Sequence, residues 1–227
     1  RALGVVNDGE VEDYFVNIRG RDYGDLSATS FPDYPIASAI RYGDYNDDNI
    51  PDDTGSIWAG TRVDIETACT PATNAAASAD DNSNVDDEDG LVFPGVALKP
   101  STAYNFTVNL SGVTSGRRAY YGIWFDMNGD GDFSDATDQF VNGSALLTTG
   151  SGPYTASVTR SIATPGASNF NRLTFATRLM VSSLAVAVTD SNSNIANGEV
   201  EDYVGDFAPS ISGNVYNDQD GINDNAV

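Results

Sequence analysis

A short acidic segment carries the strongest chemical signal in the sequence. It reads Asp126-Met-Asn128-Gly-Asp130-Gly131-Asp132. Oxygen donors therefore stand at relative positions 1, 3 and 5, with glycine at position 6, as in the opening of an EF-hand-type calcium loop. The glycine allows the sharp turn that folds the donors around one ion, and Asp132 at position 7 is expected to contribute its backbone carbonyl.

The segment lacks the bidentate acid that normally occupies position 12, where Thr137 stands instead. Asp138, one residue later, is the best substitute ligand. A buried-strand pattern at 120–125 precedes the loop, so the sequence predicts a calcium loop on a β scaffold and not a helical EF-hand. An unliganded turn rich in Asp and Asn is the alternative.

A second segment repeats this spacing without a glycine. Asn49 takes its turn position, and Asn tolerates left-handed backbone geometry better than most residues. The spacing is similar to that of thrombospondin type 3 repeats, and a solvated turn is the alternative. Its candidate calcium ligands are Asp44, Asn46, Asp48, Ile50 and Asp52.

A third cluster, at 80–89, has the densest negative charge but no single loop spacing. Its acids would repel one another strongly in a folded loop unless they were neutralised. We expect Asp86, Asp87 and Asp89 to join a calcium site formed with other segments, and a disordered acidic loop is the alternative.

The hexapeptide Gly-Glu-Val-Glu-Asp-Tyr occurs twice, at 9–14 and 198–203. In an extended strand Glu199 and Glu201 point to one face, where two carboxylates could complete a metal site. Alternatively they face solvent, and Tyr203 anchors the strand in the core. The repeat predicts a tandem array in which residues 1–20 end one module, 21–207 form a complete module and 208–227 begin another domain or act as an exchanged strand.

Composition excludes several classes of function. The formal net charge is −22, there is no His and there is one Cys, which excludes His-based catalytic triads, His-ligated zinc and disulfide frameworks. Such an acidic chain opposes nucleic-acid binding and anionic membranes. Five windows, 10–13, 44–53, 80–89, 126–138 and 199–202, hold 22 of the 33 acids and no basic residue. Calcium is therefore the expected counter-ion.

Hydrophobic patterning predicts an all-β protein, an antiparallel sandwich with long calcium-ordered acidic loops. Apolar residues alternate with polar ones over 102–110 and 172–180, as in half-buried strands. The runs 120–125 and 184–188 indicate more fully buried strands, and the latter is far too short to span a bilayer. Because Arg1 opens the chain without an initiator Met, we expect a mature or excised segment.

Together these motifs resemble those of the GEVED domain of large secreted bacterial surface proteins. The resemblance rests on the repeated hexapeptide and on segments 22–25, 57–66, 86–90, 124–133 and 172–178. It implies that Asp64 and Glu66, an acid-x-acid pair, belong to the candidate ligands. The tail at 211–224 is similar to the start of a B-type repeat of serine-aspartate adhesins, which adds Asp218, Asp220 and Asp224.

The resemblance implies a calcium-dependent structural or adhesive module outside the cell, at the bacterial surface, and no catalysis. Its expected partners are calcium ions and neighbouring modules or identical subunits in an array or filament, with a host or surface glycan as a further possibility. The alternative function is calcium-dependent carbohydrate or ligand binding, for which Trp58 and Trp124 could stack on sugars. Paired carboxylates also suggest a glycosidase, but among so many acids that signal has little value.

Overall fold

The computed structural model describes residues 21–24, 26, 34, 38–40, 54–63, 87–166, 173–185, 189–195 and 197–208. Every element with assigned bounds in this part of the chain is a β-strand, which confirms the all-β prediction. The strands are β1 Arg21–Tyr23, β2 Ser38–Ile40, β3 Ile57–Ala59, β4 Leu91–Val92, β5 Ala103–Gly112, β6 Arg118–Phe125, β7 Gln139–Leu146, β8 Tyr154–Ala163, β9 Thr174–Ser182, β10 Asn194–Ile195 and β11 Gly198–Asp206.

Two antiparallel sheets enclose the main core. The first has the order β11-β9-β6-β7. In the second, β8 pairs with β5 along one edge, while β3 and β4 follow one another along the other edge. Alternate residues of β5 and β6 point inwards, as the period of two in a strand requires. The buried residues of these two strands in the core are Phe106, Val108, Leu110, Ala119, Tyr121, Ile123 and Phe125.

A third, small sheet with the order β1-β2-β10 covers the outer face of the first sheet. Ile195 of β10 packs with Trp124, Met180 and Val200 in a separate apolar cluster. Leu26 and Tyr34 pack on Ala176 beside it. The central strands of the first sheet are therefore covered on both faces.

The structure corrects two sequence-based expectations. The predicted half-exposed strand at 172–180 is β9, in which every residue from Phe175 to Ser182 is buried, since layers lie on both of its sides. The predicted buried strand at 184–188 is wrong at its first residue, because Leu184 lies outside the strands and is 53% exposed; residues 186–188 lie outside the described part. No helix in the described part is long and apolar enough to cross a membrane.

The sandwich core predicts unequal costs for two leucine substitutions. Leu110 is fully buried between the sheets, whereas Leu146 at the end of β7 is 46% exposed. Leu110→Ala should lower the free energy of unfolding by about 2–5 kcal/mol, because it leaves a cavity in the core. Urea unfolding of Leu146→Ala provides the matched control and should show a much smaller loss. Equal losses would contradict this assignment of the core.

Candidate metal centre

The acidic loop between β6 and β7 starts from a fixed point in the first sheet. The backbone N–H of Asp126 donates to the carbonyl of Ala176 at 3.0 Å, which extends the β6–β9 ladder past the end of β6. The Asp126 side chain is fully buried. Its carboxylate accepts hydrogen bonds from the N–H groups of Gly129 (2.6 Å) and Gly131 (3.1 Å), and from the Tyr34 hydroxyl. Through these hydrogen bonds Asp126, the first residue of the motif, folds the loop back on itself.

Glycine is required at the two turns of this loop. Gly129 has φ 70° and Gly131 has φ 110°, and residues with a side chain rarely adopt this left-handed region. The sharp turn predicted at position 6 of the motif is therefore confirmed.

Three carboxylates of the loop converge on one point. Oxygens of Asp130, Asp132 and Asp135 all lie within 4.8 Å of one another, which is about twice a calcium–oxygen distance. One ion could therefore contact all three. The Asn128 amide donates to Asp130 (2.8 Å) and to Asp135 (2.6 Å) and holds the two acids beside each other. The three carboxylates offer only oxygen atoms as metal ligands, and a hard cation such as Ca²⁺ prefers oxygen ligands.

Asp138 closes the loop from its far end. Its carboxylate accepts hydrogen bonds from the N–H groups of Met127 and Asp135, each at 3.0 Å. Burial raises the pKa of Asp138 to about 7. Burial also raises the pKa of Asp126, although the hydrogen bond from Tyr34 opposes that shift.

Two residues of the loop depart from the EF-hand template. Asp132 brings its carboxylate into the cluster, whereas the EF-hand template assigned it only a backbone carbonyl. Asp135 was not predicted at all, because position 10 is not a ligand position in that template. The one available signal was that Asp135 is a further acid within a loop that contains no basic residue.

A second group of acids lies between the two main sheets. Glu199 and Glu201 are each only 1% exposed, so the alternative that they face solvent is wrong; β11 lies between two layers. Glu199 accepts a hydrogen bond from the N–H of Ala59, at the end of β3. Glu201 accepts bonds from the N–H of Gly90 (3.1 Å) and from the Tyr203 hydroxyl (2.6 Å).

Further acids surround this pair. Asp87 and Asp22 are 4% and 1% exposed, and Asp22 accepts a hydrogen bond from the N–H of Val200 at 2.6 Å. Burial, followed by the charges of Glu201, Asp22 and Asp87, raises the pKa of Glu199 well above its usual range. Burial is also the main cause of the raised pKa of Glu201.

Asp89 has a different contact from Asp87. Its carboxylate accepts hydrogen bonds from the N–H of Thr61, at 2.8 Å, and from the Thr61 hydroxyl. It therefore fixes the turn after β3, and its charge also raises the pKa of Glu201.

The opposite face of β11 carries a neutralised acid. Arg178 of β9 donates two hydrogen bonds to Asp202, from Nε at 2.8 Å and from Nη2 at 2.7 Å. Both side chains are almost fully buried. Asp202 also accepts a bond from the N–H of Leu26 at 3.1 Å, and so links the first sheet to the layer outside it.

The structure thus brings two groups of predicted ligands together, the loop 126–138 and the acids at 87–89 with 199–201. The remaining predicted ligands lie outside the described residues: Asp44, Asn46, Asp48, Ile50, Asp52, Asp64, Glu66, Asp86, Asp218, Asp220 and Asp224.

The fold and the site define a β-sandwich protein with an acidic loop suited to a metal ion. Residues 120–204 match the family model of the GEVED domain, in agreement with the resemblance carried by the hexapeptide. The match begins in β6, ends in β11 and includes both the loop 126–138 and the two glutamates. The similarity of the tail to an adhesin repeat stays a prediction.

No curated relative matches the chain. A similar solved structure is the CARDB domain of the PF1109 protein from Pyrococcus furiosus, in complex with di-metal ions. It is 13% identical, the alignment covers 52% of this chain and 87% of that chain, and the TM-score is 0.29. A likeness of this size carries no argument about the metal or the fold.

The raised carboxyl pKa values predict that acid stabilises the calcium-free chain. A carboxyl whose pKa is higher in the folded state binds more protons there, so stability falls as pH rises towards that pKa. For Asp138 this pH window runs from its ordinary pKa of 3.8 to about 7. Burial shifts the pKa values of Glu199 and Glu201 in the same direction. In EGTA, calorimetry should give a higher melting temperature at pH 5 than at pH 8. A higher melting temperature at pH 8 would contradict the prediction, and Glu199→Gln/Glu201→Gln should reduce the difference.

Proposed function

We propose that this chain is a calcium-stiffened, non-catalytic structural module of a bacterial extracellular adhesin or surface filament. The observation that carries the proposal is the convergence of Asp130, Asp132 and Asp135 within 4.8 Å of one another in the loop between β6 and β7. Three adjacent carboxylates repel one another, and a calcium ion among them would replace that repulsion with attraction.

Calcium in this loop would stabilise more than the loop itself. Asp126 accepts a hydrogen bond from Tyr34 of the outer layer, and the Tyr34 ring packs on Phe133 of the loop with centroids 4.7 Å apart. An ion that holds the loop in one conformation would also preserve this contact. Binding would therefore stiffen the junction between the first sheet and its outer layer.

The proposed environment suits weak but effective binding. GEVED domains occur in secreted or surface proteins. Extracellular calcium modules have dissociation constants of about 10⁻⁴–10⁻³ M. A tenfold excess of calcium over that constant adds about 1.4 kcal/mol per site, so a few such sites can decide whether a marginal domain stays folded.

The repeated hexapeptide supports a place in a tandem array. A second copy at 9–14 agrees with partners that are neighbouring modules or identical subunits. In such an array, calcium would limit bending within each module.

The competing functions have less support. Trp58 and Trp124 are only 1% and 7% exposed, so neither offers a face on which a sugar could stack. Glu199 and Glu201, the paired carboxylates of the hexapeptide, are shielded from solvent in the same way. A hydrolase would need such a pair to reach its substrate.

The proposal predicts that calcium stabilises the chain through the loop. Asp130→Ala/Asp135→Ala removes two exposed carboxylates of the cluster, so the fold should persist while the ion loses ligands. For the wild type, differential scanning calorimetry should show a clearly higher melting temperature in millimolar calcium than in EGTA. The double variant should lose a large part of that gain.

Asp206→Ala is the matched control, because Asp206 is an exposed acid at the end of β11, two strands from β6 in the first sheet, and it does not belong to the three-acid cluster. It should keep the full gain. A wild-type melting temperature that is the same in calcium and in EGTA would contradict the proposed function.

A further inference from the structure

Two residues that are far apart in sequence, Gly60 and Gly90, meet at one residue of the second sheet, Asn109. The N–H of Gly60 donates to the carbonyl of Asn109 in β5 at 3.1 Å, and the N–H of Asn109 donates to the carbonyl of Gly90 at 2.7 Å. Gly60 and Gly90 therefore meet beside Asn109. This junction faces β11, which contributes the two glutamates of the hexapeptide.

Each glutamate accepts a backbone hydrogen bond beside this junction. Glu199 Oε2 accepts from the N–H of Ala59, just before the chain leaves the sheet. Glu201 Oε1 accepts from the N–H of Gly90, where the chain returns. Gly90 lies so close that a Cβ there would come within 2.6 Å of Glu201 Oε2 and 2.3 Å of the Ala59 Cβ. The hexapeptide strand β11 thus links Ala59 and Gly90 to the first sheet.

The second carboxylate oxygen of Glu199 has no hydrogen-bond partner among the described residues. Glu199 Oε1 is buried, and among the described residues nothing donates to it. Buried polar atoms are almost always satisfied, so an exception calls for an explanation. The acids that interact with Glu199 are Glu201, Asp22 and Asp87, and all of them carry the same sign of charge.

The nearby arginine does not supply the missing positive charge. Arg178 is held by Asp202, and Asp202 lies on the other face of β11 because side chains alternate along a strand. A buried ionised carboxylate without a cation is strongly unfavourable. A carboxylate that binds a metal ion is itself held by hydrogen bonds from its surroundings, and the N–H groups of Ala59 and Gly90 provide such bonds here.

We propose that Glu199 and Glu201 bind one hard divalent cation, Ca²⁺ in the first instance, between the two main sheets. This is a second site, separate from the loop 126–138, and it does not depend on the proposed function. Glu199 Oε1 is the first ligand, and Asp87 and Asp22 add attractive charge around the ion. Within the described residues only the loop cluster brings three acid oxygens within 4.8 Å. We therefore assign no more than two acids, Glu199 and Glu201, to direct contact with the proposed ion, and carbonyl oxygens or water would complete its shell.

The consequence is that calcium controls the contact between the hexapeptide strand and the second sheet. The ion neutralises the pair, and the pair accepts the hydrogen bonds of Ala59 and Gly90. Calcium would therefore set how firmly Ala59 and Gly90 are held to β11.

Native mass spectrometry of the full chain in calcium tests the site. Glu199→Gln keeps the size of the side chain and an acceptor for the Ala59 N–H but removes the charge. It should bind one calcium ion fewer than the wild type, whereas Asp206→Asn should bind the same number. Asp130→Ala/Asp135→Ala should lose a different ion, so that combining it with Glu199→Gln removes both. Unchanged stoichiometry in a folded Glu199→Gln would overturn the interior site, whatever the loop variant shows.

Hydrogen–deuterium exchange provides a measurement that leaves the interior unmutated. In the Asp130→Ala/Asp135→Ala background, millimolar calcium should slow exchange of the Ala59 and Gly90 amides several-fold, because both donate to the glutamates. The amide of Thr155, which donates to the Thr149 carbonyl at 2.7 Å at the other edge of the second sheet, is the internal reference. Exchange at Ala59 and Gly90 that calcium does not change would show that the two glutamates are protonated structural acids, and would overturn the proposal.

Discussion

The burial of several carboxylates around one strand is the constraint on which the rest of this structure depends. β11 directs Glu199 and Glu201 towards the second sheet and Asp202 towards the outer layer, and all three side chains are about 1% exposed. Acids are almost never buried to this extent without partners. Asp202 has its partner in Arg178, whereas the two glutamates rely on backbone N–H groups and, in our proposal, on a cation. The three layers are thus joined through charged groups as well as through apolar packing.

The same constraint acts at the contacts between the layers. Ala59 and Gly90 donate to the two glutamates, and Leu26 of the outer layer donates to Asp202. The loop 126–138 uses a similar arrangement at another edge, where buried Asp126 holds Gly129, Gly131 and Tyr34. In each case a carboxylate organises backbone donors from a distant or irregular segment. Among the described residues, buried carboxylates therefore hold loop backbone at these places.

Local patterns in the sequence predicted what depends on local structure. The alternation in β5 and the turn at Gly131 were correct because a strand period and a glycine conformation need no distant partner. The burial of Glu199 was left open and Asp135 was missed, because both depend on how distant segments and loop backbone come together. β9 was expected to be half exposed, since nothing in its own pattern reveals the layer formed by β1, β2 and β10. Pairing between remote segments, such as Tyr34 with Asp126, is the information that a single sequence lacks.

In our proposal, calcium is part of the folded structure at two separate places. The most direct measurement is a crystal structure of the chain grown in calcium, with anomalous difference density collected at long wavelength. We expect one peak among Asp130, Asp132 and Asp135, and a second beside Glu199 Oε1 between the two sheets. Well-ordered acids at both places without an anomalous peak at either would contradict the account.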